Sequence, residues 1–361
     1  MNSNIFNCNY KLLQHPDRVD AIRKTGDCYP VNVEYHPTMK CNHQCLRCAT
    51  VVEKGIKSEH TDTAGDNQSM WTPADAEKLI HGFAEVGVKA VTFGGGGEPL
   101  LHPTIDAQMC LVRSHNMDFG VITNLDVAVH SPNLLSAKWI RVSADAATET
   151  THNVLHRPNR AKMDAEGFTR VIENLRYLML EREKGSPTIG INYLVQKENF
   201  DEIGKAVEVF SSLADYIRFT PLHDKSAGST YNWADLVRAF DAAKEAGKKL
   251  NPDFKVIGAF DRFVNMVQNP KDYPYCFWQR IRPVVGADGW LYPCCVLNYY
   301  DGYRILDVRA YSCFKTAWDS DIRKKSHSWL NPKKCPPCWV DVENQMACYI
   351  AQKDPPHVNF V

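Results

Sequence analysis

The feature that most constrains this chain is a group of three cysteines on one short loop. Cys41, Cys45 and Cys48 stand at C-x3-C-x2-C spacing, directly after the strand-like run 31–35. Three thiolates so placed can bind three irons of a 4Fe-4S cluster and leave the fourth iron open. Zinc is the alternative, but structural zinc sites usually pair two C-x2-4-C knuckles. His43, inside the loop, is expected to be solvated. The loop therefore predicts an open iron-sulfur cluster at the end of a strand.

A second motif lies about fifty residues further along the chain. The run 89–93 reads as a buried strand, and the sequence Gly-Gly-Gly-Gly-Glu-Pro follows it at 94–99. Glycine lets the backbone approach a ligand closely, since it has no Cβ atom. A flexible turn is the simpler explanation, but the carboxylate and the proline stiffen the end of the run. Two such motifs, each following a strand, indicate a cofactor site more specifically than either alone.

Together the two motifs resemble those of the radical S-adenosylmethionine (radical SAM) family. The resemblance implies that the amine and carboxylate of SAM bind the open iron, and that the reduced cluster cleaves SAM to a 5'-deoxyadenosyl radical. It also implies backbone contacts from Gly96 and Gly97 to the methionyl ammonium of SAM, which Glu98 helps to hold. The family usually carries an aromatic residue before the third cluster cysteine, where this chain has Arg47. A guanidinium can stack on adenine in place of a ring.

Polar residues at other strand ends complete the expected SAM site. By similarity to the family, Ser143 and Arg157 would contact the SAM carboxylate, since a guanidinium suits a planar anion. Asn192 would reach the ribose, and Asn124 closes the third strand beside the cofactor. Taken singly, each also fits an ordinary strand-end cap or salt-bridge residue.

Strand-like and helix-like segments alternate along the first two thirds of the chain. Such βα units build a parallel sheet with helices on its outer face. Counting the run at Val31 as the first strand gives six units, the number in the partial (βα)6 TIM-like barrel of the radical SAM fold, so an α/β class is expected. The polar stretch 53–70 is interpreted as a surface loop, with a lid as the alternative. The expected domains are an N-terminal helical extension at 1–30, the barrel at 31–250, and a small extension at 251–361.

Cysteines return in the last quarter of the chain. Cys276 precedes a turn signal at 288–289, and Cys294 follows it at G-x4-C spacing. A hairpin is therefore expected to bring these two thiols together. Cys335 and Cys338 form a C-x2-C knuckle. Zinc is a serious alternative for four such thiolates.

The same C-terminal pattern resembles the SPASM/twitch extension, which holds auxiliary 4Fe-4S clusters. Full SPASM domains carry seven cysteines, whereas here Asn344 occupies the place of the fifth and no cysteine follows Cys348. The resemblance favours one auxiliary cluster, with two as the alternative, and Cys348 is the main rival ligand. The four favoured ligands are Cys276, Cys294, Cys335 and Cys338.

Charge and hydropathy exclude some classes of partner. Lys+Arg and Asp+Glu both number 42, and this zero net charge argues against a nucleic-acid partner. No apolar run is long enough to span a membrane, and the N-terminus lacks the pattern of a signal peptide. A cytoplasmic location is therefore expected, and clustered cysteines there favour metal ligation over disulfides.

The combined expectation is a radical SAM oxidoreductase of a biosynthetic pathway. It would remove a hydrogen atom from a small polar substrate, such as a sugar or an aminocyclitol, with net oxidation through the auxiliary cluster. A flavodoxin or ferredoxin would supply the electron. Only about thirty residues precede Val31, too few for the leader-binding module of many peptide-modifying relatives. Modification of a ribosomally made peptide stays the alternative, and a non-catalytic metal-cluster protein is a more distant one.

Overall fold

The computed structural model describes residues 10–48, 50, 69–127, 131–157, 166–183, 186–222, 232–258, 271, 273–336, 338, 340–353 and 355. Apart from its last two residues, the predicted surface loop at 53–70 lies outside these ranges. The described strands are β1 Asn32–Tyr35, β2 Ala90–Phe93, β3 Asp118–Thr123, β4 Trp139–Ser143, β5 Thr188–Val195, β6 Tyr216–Pro221, β7 Lys255–Gly258, β8 Val284–Val285, β9 Trp290–Tyr292 and β10 Leu306–Asp307.

Among the described residues, one α-helix precedes β1, α-helices separate the strands from β1 to β7 except between β3 and β4, and the remaining helices follow β7. They are α1 Pro16–Thr25, α2 Pro73–Glu85, α3 Ile105–Ser114, α4 Glu149–Leu155, α5 Gly167–Glu181, α6 Ile203–Phe210, α7 Trp233–Leu250, α8 Trp278–Ile281, α9 Phe314–Trp318, α10 Asp321–Trp329 and α11 Asp341–Ile350. The sequence predicts the start of α2, with Thr72 as its N-cap and Pro73 at the first helical position. Thr72 caps α2 by accepting a hydrogen bond from the backbone N–H of Asp75 at 3.2 Å.

One sheet contains all ten described strands, in the order β10-β9-β8-β1-β2-β3-β4-β5-β6-β7. Every pair from β1 to β7 is parallel, which confirms the predicted α/β class and its parallel sheet. The strand β7 was not predicted, and it extends the parallel sheet past β6. On the other side β8 pairs parallel with β1, and β9 and β10 follow as antiparallel strands.

The two faces of the sheet differ in chemistry, because side chains alternate along each strand. One face packs on helices, where Tyr35 contacts the rings of Trp71 and Phe83. The opposite face, here called the inner face, carries Glu34 of β1 and, through the register of β2 to β5, also Ser143 and Asn192. Polar residues on the inner face leave room for a polar ligand rather than a second apolar core.

The first described helix packs on the C-terminal region rather than on the sheet. Leu12 and Ile22 share a buried apolar cluster with Phe277, Ile281 and Ala347. These contacts tie the segment before β1 to α8 and α11. Whether 1–30 and 251–361 are separate domains stays a prediction.

Candidate cofactor and cluster sites

The predicted cluster loop lies just beyond the carboxyl end of β1 and against the end of α4. The backbone N–H of Gln44 donates to the carbonyl of His156 at 3.1 Å, and that of Leu46 donates to the carbonyl of Leu155 at 2.8 Å. The loop is thus attached to a helix that follows β4. Since β1 and β4 are not neighbours in the sheet, this contact is a tertiary one that the motif alone does not specify.

The three thiols of the loop lie near one another in a buried setting. Burial raises the pKa of Cys41 to about 12, and the Cys48 thiolate adds to that effect. Burial likewise raises the pKa of Cys45, with Cys48 and Cys41 as the next contributors. The three thiols are therefore within electrostatic range of one another. Their ligation of a shared cluster stays a prediction.

The glycine motif packs directly on the segment that leads into the cluster loop. The backbone N–H of Gly97 donates to the carbonyl of Thr38 at 3.2 Å, and that of Glu98 donates to the carbonyl of Lys40 at 2.8 Å. A Cβ atom at Gly97 would overlap the Lys40 carbonyl, and one at Gly96 would overlap the side chain of Met39. Close packing of two protein segments therefore requires these two glycines, whatever ligand they also contact.

Replacing Gly97 with alanine is expected to disturb the cluster loop, because the new methyl group meets backbone atoms that have no room to move. Overpacking of this kind costs about 1–3 kcal/mol. We expect lower iron content after anaerobic reconstitution and a lower melting temperature. Gly94→Ala is the matched control, since a Cβ there makes its first contact at 3.7 Å. Equal iron content in both variants would contradict the packing argument.

Glu98 is fully enclosed and bonded by its own protein. One carboxylate oxygen accepts from the Thr123 hydroxyl at 2.7 Å and from the backbone N–H of Leu100 at 3.0 Å. The other accepts from the backbone N–H of Asn124 at 2.7 Å. Burial raises the pKa of Glu98 to about 7. The carboxylate thus joins the glycine motif to the end of β3, and its predicted contact with SAM would use its remaining acceptor capacity.

The other predicted SAM contacts lie around the same edge of the sheet. The Asn124 side chain donates to the side chain of Asn42 in the cluster loop at 2.8 Å. Ser143 and Asn192 stand opposite one another in the register of β4 and β5, on the inner face. Arg157 follows α4, and its carbonyl accepts from the N–H of Gln44 at 3.0 Å. The structure brings Asn124 and Arg157 to the cluster loop and keeps Ser143 and Asn192 on the neighbouring strands. Their contacts with SAM stay predictions.

A stack of three histidine rings packs behind the cluster loop, and the expectation of a solvated His43 was wrong. His43 is 6% exposed, and its Nε2 lies 2.9 Å from a carboxylate oxygen of Asp126. His152 and His156 are 0% and 2% exposed, with ring centroids 4.5 Å apart. Burial lowers the pKa of His152 to about 3. His152 and His156 are four residues apart, at the end of α4, so they lie on the same helix face. The sequence alone could have indicated this pairing.

The C-terminal cysteines form a second group of thiols. The predicted hairpin is present: β8 and β9 pair antiparallel through a turn at Gly289, whose φ is +85°. Burial raises the pKa of Cys276 to about 11, and the nearby Cys335 thiolate adds to the rise. Burial also raises the pKa of Cys294, with contributions from Cys295, Cys276 and Cys338. Each of the four favoured thiols is thus within electrostatic range of at least one other, and Cys294 is also close to Cys295.

Cys348 has different surroundings from these four. Its thiol donates to the backbone carbonyl of Tyr275 at 3.2 Å and lies 3.8 Å from the Asn344 side-chain nitrogen. Burial raises its pKa. The Cys335 thiol likewise lies near a backbone carbonyl, that of Asn331 at 3.8 Å. The choice of Cys276, Cys294, Cys335 and Cys338 over Cys348 as the ligand set therefore stays a prediction.

A buried polar network on the inner face connects the two groups of thiols. Arg282 donates to the Glu34 carboxylate at 2.9 Å, and the other Glu34 oxygen lies 3.3 Å from His36 Nε2. His36 Nδ1 lies 2.9 Å from the Tyr299 hydroxyl. Burial lowers the pKa of Arg282, but Glu34 and the nearby Cys295 and Cys294 outweigh this and raise it. Glu34 and His36 are two residues apart at the end of β1, so their side chains lie on the same face. No local pattern in the sequence indicates Arg282 as their partner.

Replacing Glu34 with alanine should destabilise the fold, since Arg282 would lose its buried partner. Breaking a fully buried ion pair from one side costs on the order of 3 kcal/mol, and the loss here should be smaller because the Arg282 side chain is 29% exposed. Urea denaturation of the reconstituted protein measures the change. The matched control is Asp118→Ala, which removes a surface pair with Lys138 whose side chains are 59% and 61% exposed. That variant should lose under about 1 kcal/mol. Similar losses in both would show that the network carries little stability.

Comparison with known proteins places this site in a family. Residues 35–210 match the model of the radical SAM superfamily. The structure is similar to that of Streptococcus suis SuiB bound to S-adenosylmethionine, with a TM-score of 0.62 and 17% identity over 96% of this chain and 80% of that one. The structure of SuiB bound to the precursor peptide SuiA is also similar, with a TM-score of 0.61 and 16% identity. That match covers 96% of this chain and 78% of SuiB. The whole described fold, including the C-terminal strands, thus has a counterpart in SuiB.

A curated relative adds a match in sequence. The S-adenosyl-L-methionine-dependent tRNA 4-demethylwyosine synthase TYW1 of Danio rerio is 24% identical over 214 residues, 50% of this chain and 27% of that protein. The chain therefore spans about a quarter of the length of this relative. The family match, which includes the cluster loop, identifies residues 35–210 as a radical SAM domain, and members of this superfamily are enzymes. The family implies SAM and a 4Fe-4S cluster as cofactors. Among the described helices, none has the length and hydropathy to cross a membrane.

Proposed function

We propose that this enzyme oxidises a small polar molecule bound on the inner face of the sheet, between the two groups of thiols. The observation that carries the proposal is the network of Glu34, His36, Arg282 and Tyr299, which is polar, buried and placed between the cluster loop and Cys294. These groups bond to one another and give this part of the inner face a polar character. A small molecule rich in hydroxyl groups would match them.

The cysteines are assigned to two cofactors. Cys41, Cys45 and Cys48 would hold the cluster that binds SAM, and Cys276, Cys294, Cys335 and Cys338 would hold one auxiliary 4Fe-4S cluster. When bound, these cofactors supply hydrogen-atom abstraction and an electron acceptor. Gly96, Gly97, Glu98, Asn124, Ser143, Arg157 and Asn192 would surround SAM. Their positions around one edge of the sheet support this assignment.

The protein's own contribution to an oxidation would be to accept a proton. Loss of two electrons from an alcohol also releases two protons, one of which leaves with the abstracted hydrogen atom. His36 and Glu34 are suited to take the other, because their ring nitrogen and carboxylate oxygen lie 3.3 Å apart and face the inner side. Arg282 holds the Glu34 carboxylate in place from the side of the C-terminal thiols. A flavodoxin or ferredoxin would reduce the SAM-site cluster.

Peptide modification is the second candidate, and the fold shared with SuiB supports it. To separate the two, the reconstituted enzyme would be given SAM, dithionite and an extract of its source organism grown in deuterated water. Transfer of deuterium into 5'-deoxyadenosine, detected by mass spectrometry, identifies the fraction that contains the substrate. We expect transfer from the low-molecular-mass fraction and survival of the signal after protease treatment. A signal confined to protease-sensitive material would favour the peptide candidate.

A further inference from the structure

The orientation of the His156 ring in the histidine stack is fixed by a hydrogen bond. His156 Nε2 accepts a hydrogen bond from the backbone N–H of Asp145 at 3.1 Å. An acceptor nitrogen carries no hydrogen, so a neutral His156 holds its proton on Nδ1. That nitrogen lies 3.7 Å from the sulfur of Cys45. The ring therefore directs an N–H group at one thiol of the cluster loop.

Several contacts hold this donor in position. His156 stacks on His152 with an angle of 15° between the rings, and His43 meets both edge-on at centroid distances of 5.6 Å and 5.4 Å. The carbonyl of His156 also accepts the N–H of Gln44, one residue before Cys45. Ring and backbone of His156 are thus both anchored beside the cluster loop.

His152 provides a contrast within the same stack. Both of its ring nitrogens are buried and make no hydrogen bond to any residue that the structure describes. It contributes ring packing to His156 and directs no donor at a thiol. Substitutions of His156 and His152 therefore test different things. The first removes an N–H group near Cys45, and the second changes only a ring that packs beside it.

We propose that His156 is a positioning residue that raises the reduction potential of the SAM-site cluster through an N–H···S hydrogen bond to Cys45. This inference rests on the proposed assignment of Cys41, Cys45 and Cys48 as cluster ligands. Reduction adds negative charge to the cluster and its sulfurs, and a donor directed at one sulfur stabilises that charge. The reduced state must form before SAM can be cleaved, so the bond makes the enzyme easier to activate by its electron donor.

The test is an anaerobic redox titration followed by EPR, in a Cys335→Ala/Cys338→Ala background that leaves only the SAM-site cluster. His156→Leu should lower the midpoint potential; a tenfold loss in the reduction equilibrium corresponds to about 59 mV. His156→Asn keeps an N–H group near the Nδ1 position and should recover much of the shift. His152→Phe is the matched control and should leave the potential near that of the background protein.

Different results would overturn the His156 hydrogen bond and the assignment of the cluster ligands. An unchanged potential in His156→Leu with normal iron content, or an equal shift in His152→Phe, would overturn the hydrogen bond but not the cluster. A background protein without iron would overturn both proposals. Zinc bound by His43, Cys45 and His156, and lost in His156→Leu, would replace the hydrogen bond with a metal site.

If His156→Leu fails to hold iron, pulsed EPR answers the same question on protein whose histidines carry 15N in the ring only, because the backbone N–H of His43 also lies 3.4 Å from the Cys41 sulfur. Without SAM, the reduced cluster should show a 15N coupling in the histidine-labelled sample. The same 15N coupling should be absent from a second sample in which every residue type except histidine is labelled. Absence of that coupling from the histidine-labelled sample would overturn the inference.

Discussion

A Cys45→Ala variant is expected to lose reductive cleavage of SAM entirely. Two remaining thiolates, Cys41 and Cys48, are too few to hold a cluster with an open iron. The measurement is 5'-deoxyadenosine released under dithionite, after anaerobic reconstitution with iron and sulfide. The same substitution also removes the contact between Cys45 and His156. That loss does not affect the expected result, because the variant holds no cluster.

The control for this prediction is Cys110→Ala. Cys110 lies exposed on α3, away from both groups of thiols, and has no part in the proposed sites. It should release as much 5'-deoxyadenosine as the unmodified protein. Undiminished output from Cys45→Ala would remove the cluster loop from the catalytic site.

The second large effect concerns the C-terminal thiols. A variant with Cys41, Cys45 and Cys48 all changed to alanine should still bind about four irons per chain, the content of one auxiliary 4Fe-4S cluster. Adding Cys338→Ala should abolish that iron, because Cys338 neighbours Cys276 and Cys294. Adding Cys348→Ala instead should leave it, because the Cys348 thiol bonds to Tyr275.

Iron analysis and absorption spectroscopy distinguish the alternatives. About eight irons in the triple variant would mean two auxiliary clusters, with a ligand other than the four favoured thiols. Colourless protein with bound zinc would remove the electron acceptor and with it the proposed oxidation. Retention of iron after Cys338→Ala and its loss after Cys348→Ala would exchange the roles of the two residues.

Much of the fold was predictable because its signals are local. The cluster loop, the glycine motif and the Thr72 cap each occupy a few consecutive residues, and alternating βα segments indicate a parallel sheet directly. The hairpin at Gly289 belongs to the same class, since its turn residues adjoin its strands.

The contacts that complete the site are long-range and gave no such signal. Glu34 and Arg282 are 248 positions apart in the sequence, and nothing near either residue specifies the other. His156 reaches Cys45 from 111 positions away. The glycines at 96 and 97 were interpreted as ligand contacts, whereas the structure also shows them packed against the strand exit at Met39 and Lys40. Pairings of this kind depend on the assembled fold.

The pairing of β8 with β1 has a mechanical consequence for the enzyme. Arg282 and the hairpin that leads to Cys294 continue the same hydrogen-bonded sheet that leads, through β1, into the cluster loop. The position of Cys294 relative to the cluster loop is therefore set by the register of these strands. An electron crossing between them would travel a fixed distance in every turnover, and a one-residue slip between β1 and β8 would alter both sites at once.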